Sequence, residues 1–352
     1  MDLFPVMAEK AYESVHFFHD AATGLRAVVA LHDTTLGPGL GGTRALATYR
    51  SELEAVDDAM RLARGMTYKA ALAGLPLGGG KAVIMLPRGP FDRPALFTAF
   101  GRAVDSLCGR YITTEDSGTS PEDMEHVRKA TRHVVGLPRS RGGSGDPSPF
   151  TAYGVLRGME AVAAFALGRS DLRGVRVSIM GVGRVGYHLA RLLTEQGASI
   201  TVADLNDEAL RRVQEELGAR VVSPRELVAL ETDIYAPCAL GGAIDDETLP
   251  LLRCKAVAGS ANNQLREERH GAELARRGIV YAPDYAINAG GLINVAQELA
   301  GYDEAKSREK CAAIYDTIRT ILERAKAEGS RPEQVADRMA EERLAAARKK
   351  RA

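Results

Sequence analysis

The chain has 352 residues, with 46 basic and 46 acidic side chains balancing to zero net charge, 45% hydrophobic and 26% charged residues. That length predicts two domains, the apolar content excludes a disordered chain, and the neutral balance gives no general electrostatic reason to bind nucleic acid. No uninterrupted apolar run approaches the ~20 residues that span a bilayer, and the first ten residues lack the apolar stretch of a secretory signal, so neither a nucleic-acid nor a membrane partner is expected.

In chain order, residues 28–31 form a short apolar run and read as a strand. A glycine-rich stretch, 37–42, reads as turns. Ser51 followed by Glu54 is a capping box; it opens a helix with Leu53, Val56, Met60 and Ala63 on one face, ending near Gly65. Residues 82–86 read as a buried strand, 95–107 as a helix, and 111–114 as a strand ending at Glu115 and Asp116. Asp116 reads either as a site residue at a strand end or as a cap for the helix after Pro121. Residues 138–149 hold three Gly, three Pro and three Ser. No helix or strand interior tolerates that mixture, so this is the expected domain boundary, hinge or active-site loop.

Beyond it, helix and strand alternate: helix 151–167, strand 175–180, helix 185–196, strand 199–203, helix 207–217. Short strands at 220–222, 233–236, 256–258 and 279–282 and helices at 306–327 and 332–347 complete the pattern. Such alternation predicts βαβ units and a mostly parallel sheet. The basic run Arg348-Lys349-Lys350-Arg351 reads as a solvated helix end. Cys108, Cys238, Cys254 and Cys311 form no C-x-x-C pair and no metal-ligand spacing; they read as reduced thiols of a cytoplasmic protein.

Two glycine clusters carry chemistry. Gly181-Val182-Gly183-Arg184-Val185-Gly186 follows one predicted strand and opens a helix, and the next strand ends at Asp204, 18 residues past Gly186. This is the dinucleotide fingerprint in its full context. The helix N-terminus would hold the pyrophosphate, and Asp204 would accept from a ribose diol and repel a 2′-phosphate, which favours NAD over NADP. The second cluster, Gly78-Gly79-Gly80-Lys81, fails the P-loop pattern. A lysine beside three glycines has little cover at its root, so a ligand could approach; Lys69 precedes it by twelve residues.

These residues carry a resemblance. Gly39-Leu40-Gly41-Gly42-Thr43-Arg44, Met66-Thr67-Tyr68-Lys69, Leu75-Pro76-Leu77-Gly78-Gly79-Gly80-Lys81, 236–242, 259–265 and 283–291 resemble, in this order, blocks of the amino-acid dehydrogenase superfamily, which includes glutamate, leucine, valine and phenylalanine dehydrogenases. The similarity runs over nearly the whole chain and is strongest to the leucine dehydrogenase branch. It implies two α/β domains separated by a cleft: a substrate-binding and oligomerisation domain, residues 1–140 with the C-terminal helix 329–352 packed back on it, and a Rossmann domain, 141–328, holding NAD. By this resemblance Lys69 grips the substrate carboxylate, Lys81 is the general base, and Asp116 assists proton transfer. A lysine in water is a poor base near neutrality, and desolvation and a neighbouring cation both ease loss of its proton; Lys69 would be that cation.

The resemblance also implies that Leu40, Gly41, Gly42, Thr114, Asn263, Leu292 and Val295 meet the substrate. It places Thr151, Gly181, Gly183, Arg184, Val185, Gly186, Asp204, Cys238, Ala239, Asn263 and Asn288 at the cofactor. Glutamate-specific members carry a lysine where this chain has Leu40, and an apolar pocket would leave a second carboxylate unpaired. Thr114 is bulkier than the Ala or Gly that leucine and phenylalanine enzymes carry there, which favours a small side chain. The expected reaction is reversible NAD-dependent deamination of leucine, valine or isoleucine to the 2-oxo acid and ammonia, by a homo-oligomer, octamer or dimer. An aromatic amino-acid dehydrogenase and a non-catalytic NAD-binding regulator are the alternatives.

Overall fold

The structure, a computed structural model, describes residues 2–351 and divides into two compact units. The first holds the chain up to Asp146, Val295–Asp303 and the residues from Ala340 onward; the second holds Pro147–Asn294 and Glu304–Met339. The sequence reading placed these limits at 140/141 and 328/329. The chain instead passes between units at 146/147, 294/295, 303/304 and 339/340.

The first unit begins with α1 (Leu3–Glu9) and is built on a five-stranded sheet. Its strands are β1 (Ser14–Asp20), β2 (Leu25–Asp33), β3 (Gly39–Leu46), β4 (Gly78–Met85) and β5 (Tyr111–Glu115), in the order β1-β2-β4-β3-β5. The β1–β2 and β2–β4 pairs are antiparallel; β4–β3 and β3–β5 are parallel. One face packs on α2 (Glu52–Leu72) through Val28, Ala30, Val83, Ala55, Ala59 and Ala63. The other packs on α3 (Arg93–Asp105) and α4 (Pro121–Arg128) through Ala82, Ile84, Phe97, Phe100 and Met124.

Three expectations fail here, all because of glycine. Residues 39–42 are strand, not turn, and β4 begins at Gly78 rather than Ala82. Helix α2 continues through Gly65 to Leu72 and carries Lys69 in its last turn. An isolated glycine weakens a helix by about 1 kcal/mol, and the buried face of α2 outweighs that. The expected cap Ser51 accepts from the Glu54 N–H, but Asp116 caps nothing: Ser120 caps α4 in a capping box with Asp123.

The second unit is a six-stranded, all-parallel sheet. Its strands are β6 (Arg176–Met180), β7 (Ser199–Ala203), β8 (Arg220–Val221), β9 (Ile234–Pro237), β10 (Ala256–Val257) and β11 (Val280–Tyr281), ordered β11-β10-β9-β6-β7-β8. The order reverses between β6 and β9, the switch point where doubly wound folds bind dinucleotides. Its helices are α5 (Ser148–Val162, continued by a π turn to Leu167), α6 (Arg184–Glu195), α7 (Asp207–Leu217), α8 (Pro224–Ala229), α9 (Glu268–Arg276), α10 (Asp284–Ile287) and α11 (Gly290–Ala296). The predicted helix 306–327 is broken at Ala313 into α12 (Glu304–Ala312) and α13 (Ile314–Glu328). By length and composition the stretch Ser148–Leu167 could cross a membrane, but more than half of its most apolar 18 residues are buried inside the protein, as in the core helix of a soluble fold.

Helix α14 (Pro332–Arg351) starts in the second unit and ends in the first. There Glu341 accepts from the Tyr68 hydroxyl at 2.9 Å and Arg343 donates to the Ala71 carbonyl at 2.9 Å. Arg348 pairs with the buried Asp33 while its own side chain stays 57% exposed, so it is solvated, as expected of the basic run, and anchored as well.

Candidate active site

In the first unit, strand alternation sets the site. Side chains on a strand point to opposite faces with period two. Gly79, Lys81 and Val83 therefore share the α2 face of β4. The register pairs Leu40 with Gly79 and Ile112, and Gly42 with Thr114, so Leu40, Gly42 and Arg44 lie on the same face as Thr114 and Asp116. Lys81 Nζ donates to Asp116 Oδ2, and Lys81 is 5% exposed. Arg44 Nε lies 3.5 Å from the same oxygen, while its Nη1 donates to Asp58 at 2.8 Å. The Asp116 backbone N–H donates to Thr119 Oγ1, which in turn donates to the Thr43 carbonyl. Burial alone would raise the Asp116 carboxyl, but Lys81 and Arg44 outweigh it and hold the group at about 2.

The triple glycine serves packing rather than ligand access. A Cβ at Gly79 would lie 2.1 Å from Thr67 Oγ1 and 2.3 Å from the Ala63 carbonyl oxygen. One at Gly80 would lie 2.6 Å from the Tyr111 ring. Bare backbone at Gly79 lets α2 lie close on β4, and α2 carries the half-buried Lys69. Gly41 and Gly42 are likewise filled space, against the Gly80 carbonyl and the Asp116 Cβ. Leu40 is fully buried; Thr114 is buried with no hydrogen-bond partner for its hydroxyl.

In the second unit, the predicted contacts gather at the carboxyl ends of the parallel strands. Gly181, at φ +99°, follows β6; a Cβ on it would meet Ala239, 2.7 Å away, at the end of β9. Gly186 packs on the Gly181 carbonyl and beside Cys238, whereas a Cβ at Gly183 would meet nothing within 4 Å. Gly183 and Arg184 are exposed at the start of α6, with Val185 half-buried behind them. Asp204, after β7, accepts from the Val182 N–H at 2.7 Å and the Asn206 N–H at 2.9 Å. Asn288 donates to the Ser260 carbonyl and to Asn262 Oδ1, and its own Oδ1 is buried without a partner. Thr151, near the start of α5, lies against Gly291. Burial pushes the Cys238 thiol above its usual range.

Comparison with known proteins agrees with this arrangement. The family model described as Glu/Leu/Phe/Val dehydrogenase, dimerisation domain, matches residues 12–133, and that of Glutamate/Leucine/Phenylalanine/Valine dehydrogenase matches residues 202–352. A leucine dehydrogenase of Geobacillus stearothermophilus is 52% identical over 351 residues, covering 100% of this chain and 95% of that one. The chain belongs to the Glu/Leu/Phe/Val dehydrogenase family. A phenylalanine dehydrogenase of Bacillus thermotolerans is 46% identical over 349 residues, covering 98% and 91%. The crystal structure of L-tryptophan dehydrogenase from Nostoc punctiforme superposes with a TM-score of 0.87 at 42% identity, covering 99% of this chain and 100% of that one.

This amino-acid dehydrogenase is therefore an oxidoreductase that uses a nicotinamide cofactor. Its second unit fits one: open space over Gly183, a start of α6 that no side chain caps, and an orphan buried acceptor on Asn288. Of the predicted residues, Leu40, Gly41, Gly42, Lys69, Lys81, Thr114, Asp116 and Val295 lie in the first unit. Thr151, the 181–186 loop, Asp204, Cys238, Ala239, Asn263, Asn288 and Leu292 lie in the second. Leu292 and Val295 are both buried.

Sequence reasoning gave no role to three residues. Arg44 was quoted in a motif, yet it shares Asp116 with Lys81. His32 is buried, with its Nδ1 2.8 Å from Thr67 Oγ1 and its Nε2 3.0 Å from the Lys10 carbonyl. A carbonyl only accepts, so Nε2 carries the proton and Nδ1 accepts from the very hydroxyl that abuts Gly79. Glu298 accepts backbone N–H groups of Gly136, at 3.0 Å, just before the loop 138–149, and of Ser144, at 2.7 Å, within it. Only Arg44, adjoining the Gly-Gly-Thr block, had a local signal.

Proposed function

We propose that this enzyme reversibly deaminates branched-chain L-amino acids, leucine, valine and isoleucine, to the 2-oxo acid and ammonia, with NAD as the cofactor. The observation that carries the reading is the pair of buried Lys81 and half-buried Asp116 on the same sheet face as an apolar, fully buried Leu40. That face offers proton-transfer groups beside a wall that cannot pair a second carboxylate, which excludes glutamate.

Each residue then has a task. Lys69 holds the substrate carboxylate. Lys81, as the neutral amine, takes the proton from the water that adds to the substrate imine and becomes the ammonium, and Asp116 accepts a hydrogen bond from Lys81 and fixes where its nitrogen points. Leu40, Gly41, Gly42, Thr114, Leu292 and Val295 line the substrate, and Asn263 faces both substrate and nicotinamide. Thr151, Gly181, Gly183, Arg184, Val185, Gly186, Cys238, Ala239 and Asn288 hold the cofactor, and Asp204 takes its ribose diol. When bound, the cofactor supplies the two-electron acceptor. Thr114 takes up volume that an aromatic side chain would need, which weighs against the phenylalanine alternative. The unpaired edge of β1, with Phe17 59% exposed, suits a homo-oligomer, dimer or octamer, and the four free cysteines suit the cytoplasm.

The test is the rate of NADH formation with leucine, valine, isoleucine, phenylalanine and glutamate. Highest kcat/KM with an aliphatic substrate is expected. Preference for phenylalanine or glutamate would overturn the reading of Leu40 and Thr114.

A further inference from the structure

Asn263 has an unusual backbone. It is exposed at the carboxyl end of the sheet and left-handed, at φ +52°, one of three non-glycine residues at positive φ among the described residues. Asparagine tolerates this region better than most side chains, yet such a conformation persists only where its surroundings impose it.

The surroundings that impose it are visible. Asn263 donates its backbone N–H to Asp284 Oδ2 at 2.6 Å, and its carbonyl accepts from the Gly242 N–H at 2.7 Å. Gly241 lies so close that a Cβ there would sit 2.7 Å from the Asn262 carbonyl oxygen. Asp284 is itself buried, and its other oxygen, Oδ1, accepts from the Tyr281 hydroxyl at 2.9 Å. Tyr281 is the last residue of β11 and Asp284 the first of α10. The carboxylate is thus held by a rigid strand–helix junction, and it bonds a backbone amide through a short charge-assisted contact.

We propose that Asp284 is a positioning residue for the reaction: its carboxylate, oriented by Tyr281, locks Asn263 in the left-handed conformation that presents the Asn263 side chain to the substrate. This rests on the reading of Asn263 as a substrate- and nicotinamide-facing residue. Without the Asp284 oxygen, the exposed Asn263 N–H bonds water instead and the backbone relaxes toward ordinary φ, which swings the side chain away. An amide at position 284 can preserve the arrangement, because its oxygen accepts from Asn263 and its NH2 donates to the Tyr281 oxygen.

The experiment compares Asp284→Ala, Asp284→Asn, Tyr281→Phe and Asn263→Ala, singly and with each position-284 or position-281 change combined with Asn263→Ala. The readouts are kcat/KM for the amino acid, NADH binding by fluorescence, and melting temperature. Asp284→Ala is expected to lower kcat/KM by about ten-fold or more, with NADH binding retained and Asp284→Asn within a few-fold of wild type. The loss should largely vanish in the Asn263→Ala background, since a residue acting through Asn263 has nothing left to position. Additive losses, or wild-type kcat/KM in Asp284→Ala beside an impaired Asn263→Ala, overturn the proposal alone. A fully active Asn263→Ala overturns the reading of Asn263 and the proposal with it. Should Asp284→Ala not fold, Tyr281→Phe decides: a smaller loss that disappears without Asn263 supports the proposal, and no loss overturns it.

Discussion

Gly79→Ala tests whether bare backbone in β4 sets the distance between Lys69 and Lys81. The added methyl would lie 2.1 Å from Thr67 Oγ1 and 2.3 Å from both the Ala63 carbonyl oxygen and the Thr67 nitrogen, where ordinary contact begins near 3.4 Å. Two of those three atoms are helix backbone, so no side-chain rotation relieves the clash, and α2 must retreat by roughly 1 Å. Overpacking of this kind costs about 1–3 kcal/mol, and melting falls by about 2–4 °C per kcal/mol in a unit of this size. Lys69 moves with the helix. A displacement of about 1 Å in a substrate-holding group costs on the order of 100-fold in rate. Steady-state deamination of leucine should therefore show a raised KM for the amino acid and kcat/KM down about 100-fold, with NADH binding unchanged because the residues proposed to hold it lie in the other unit. An alanine variant with wild-type melting temperature and wild-type KM would refute the argument that glycine here is a spacer.

Other expectations follow from the same geometry. Lys81→Ala should abolish turnover while NADH binding, read by fluorescence, survives; an active variant removes the base assignment. Asp204→Ala should erode the preference for NAD over NADP, and weaken both, because Asp204 also anchors the Val182 N–H of the glycine-rich loop; an unaltered NAD/NADP ratio means another residue reads the ribose. The Asp116 carboxyl is held at about 2, below the ordinary value of ~3.9, so the unfolded chain binds this proton first as pH falls. Its contribution, roughly 2 kcal/mol, is complete above about pH 4 and is lost as pH drops toward 2. Asp116→Asn should flatten the stability curve in that window; an unchanged acid limb would mean that Lys81 and Arg44 do not stabilise the carboxylate.

The nucleotide-fingerprint half of the second unit and, in the first, β2, α3, β5 and the start of α2 were legible in the sequence, whereas the glycine-dense strand bounds of the first unit and helices α8 to α11 of the second were not. From residue 175 to 217 each element has ordinary punctuation: an apolar strand, a glycine turn, an amphipathic helix. Predicted bounds 199–203 and 207–217 coincide with β7 and α7. In the first unit the strands that carry the site are glycine-dense, and glycine reads locally as turn or breaker. Only the assembled sheet shows that Gly41, Gly79 and Gly80 sit in strands where neighbouring backbone or rings occupy the space of a side chain. Likewise His32 and Glu298 act across 35 and 162 residues of chain, at Thr67 and Gly136, and no local pattern reports such pairings. Lys81 and Asp116 were legible as candidates; their direct pairing, and Arg44 beside them, came only with the register of β3 against β4 and β5.

The passage of α14 from one unit to the other has a consequence for biosynthesis. The five-stranded sheet precedes the second unit in the chain, yet the end of its Lys69 helix is tied to Glu341 and Arg343, and its buried Asp33 to Arg348. A nascent chain can form the five-stranded sheet early, but Asp33 gains its Arg348 partner only once α14 has been made. The second unit takes in only the start of that helix, up to Met339. The first unit is thus completed by a segment that follows the whole of the second in the chain, and the helix end that carries Lys69 gains its Glu341 and Arg343 contacts only then.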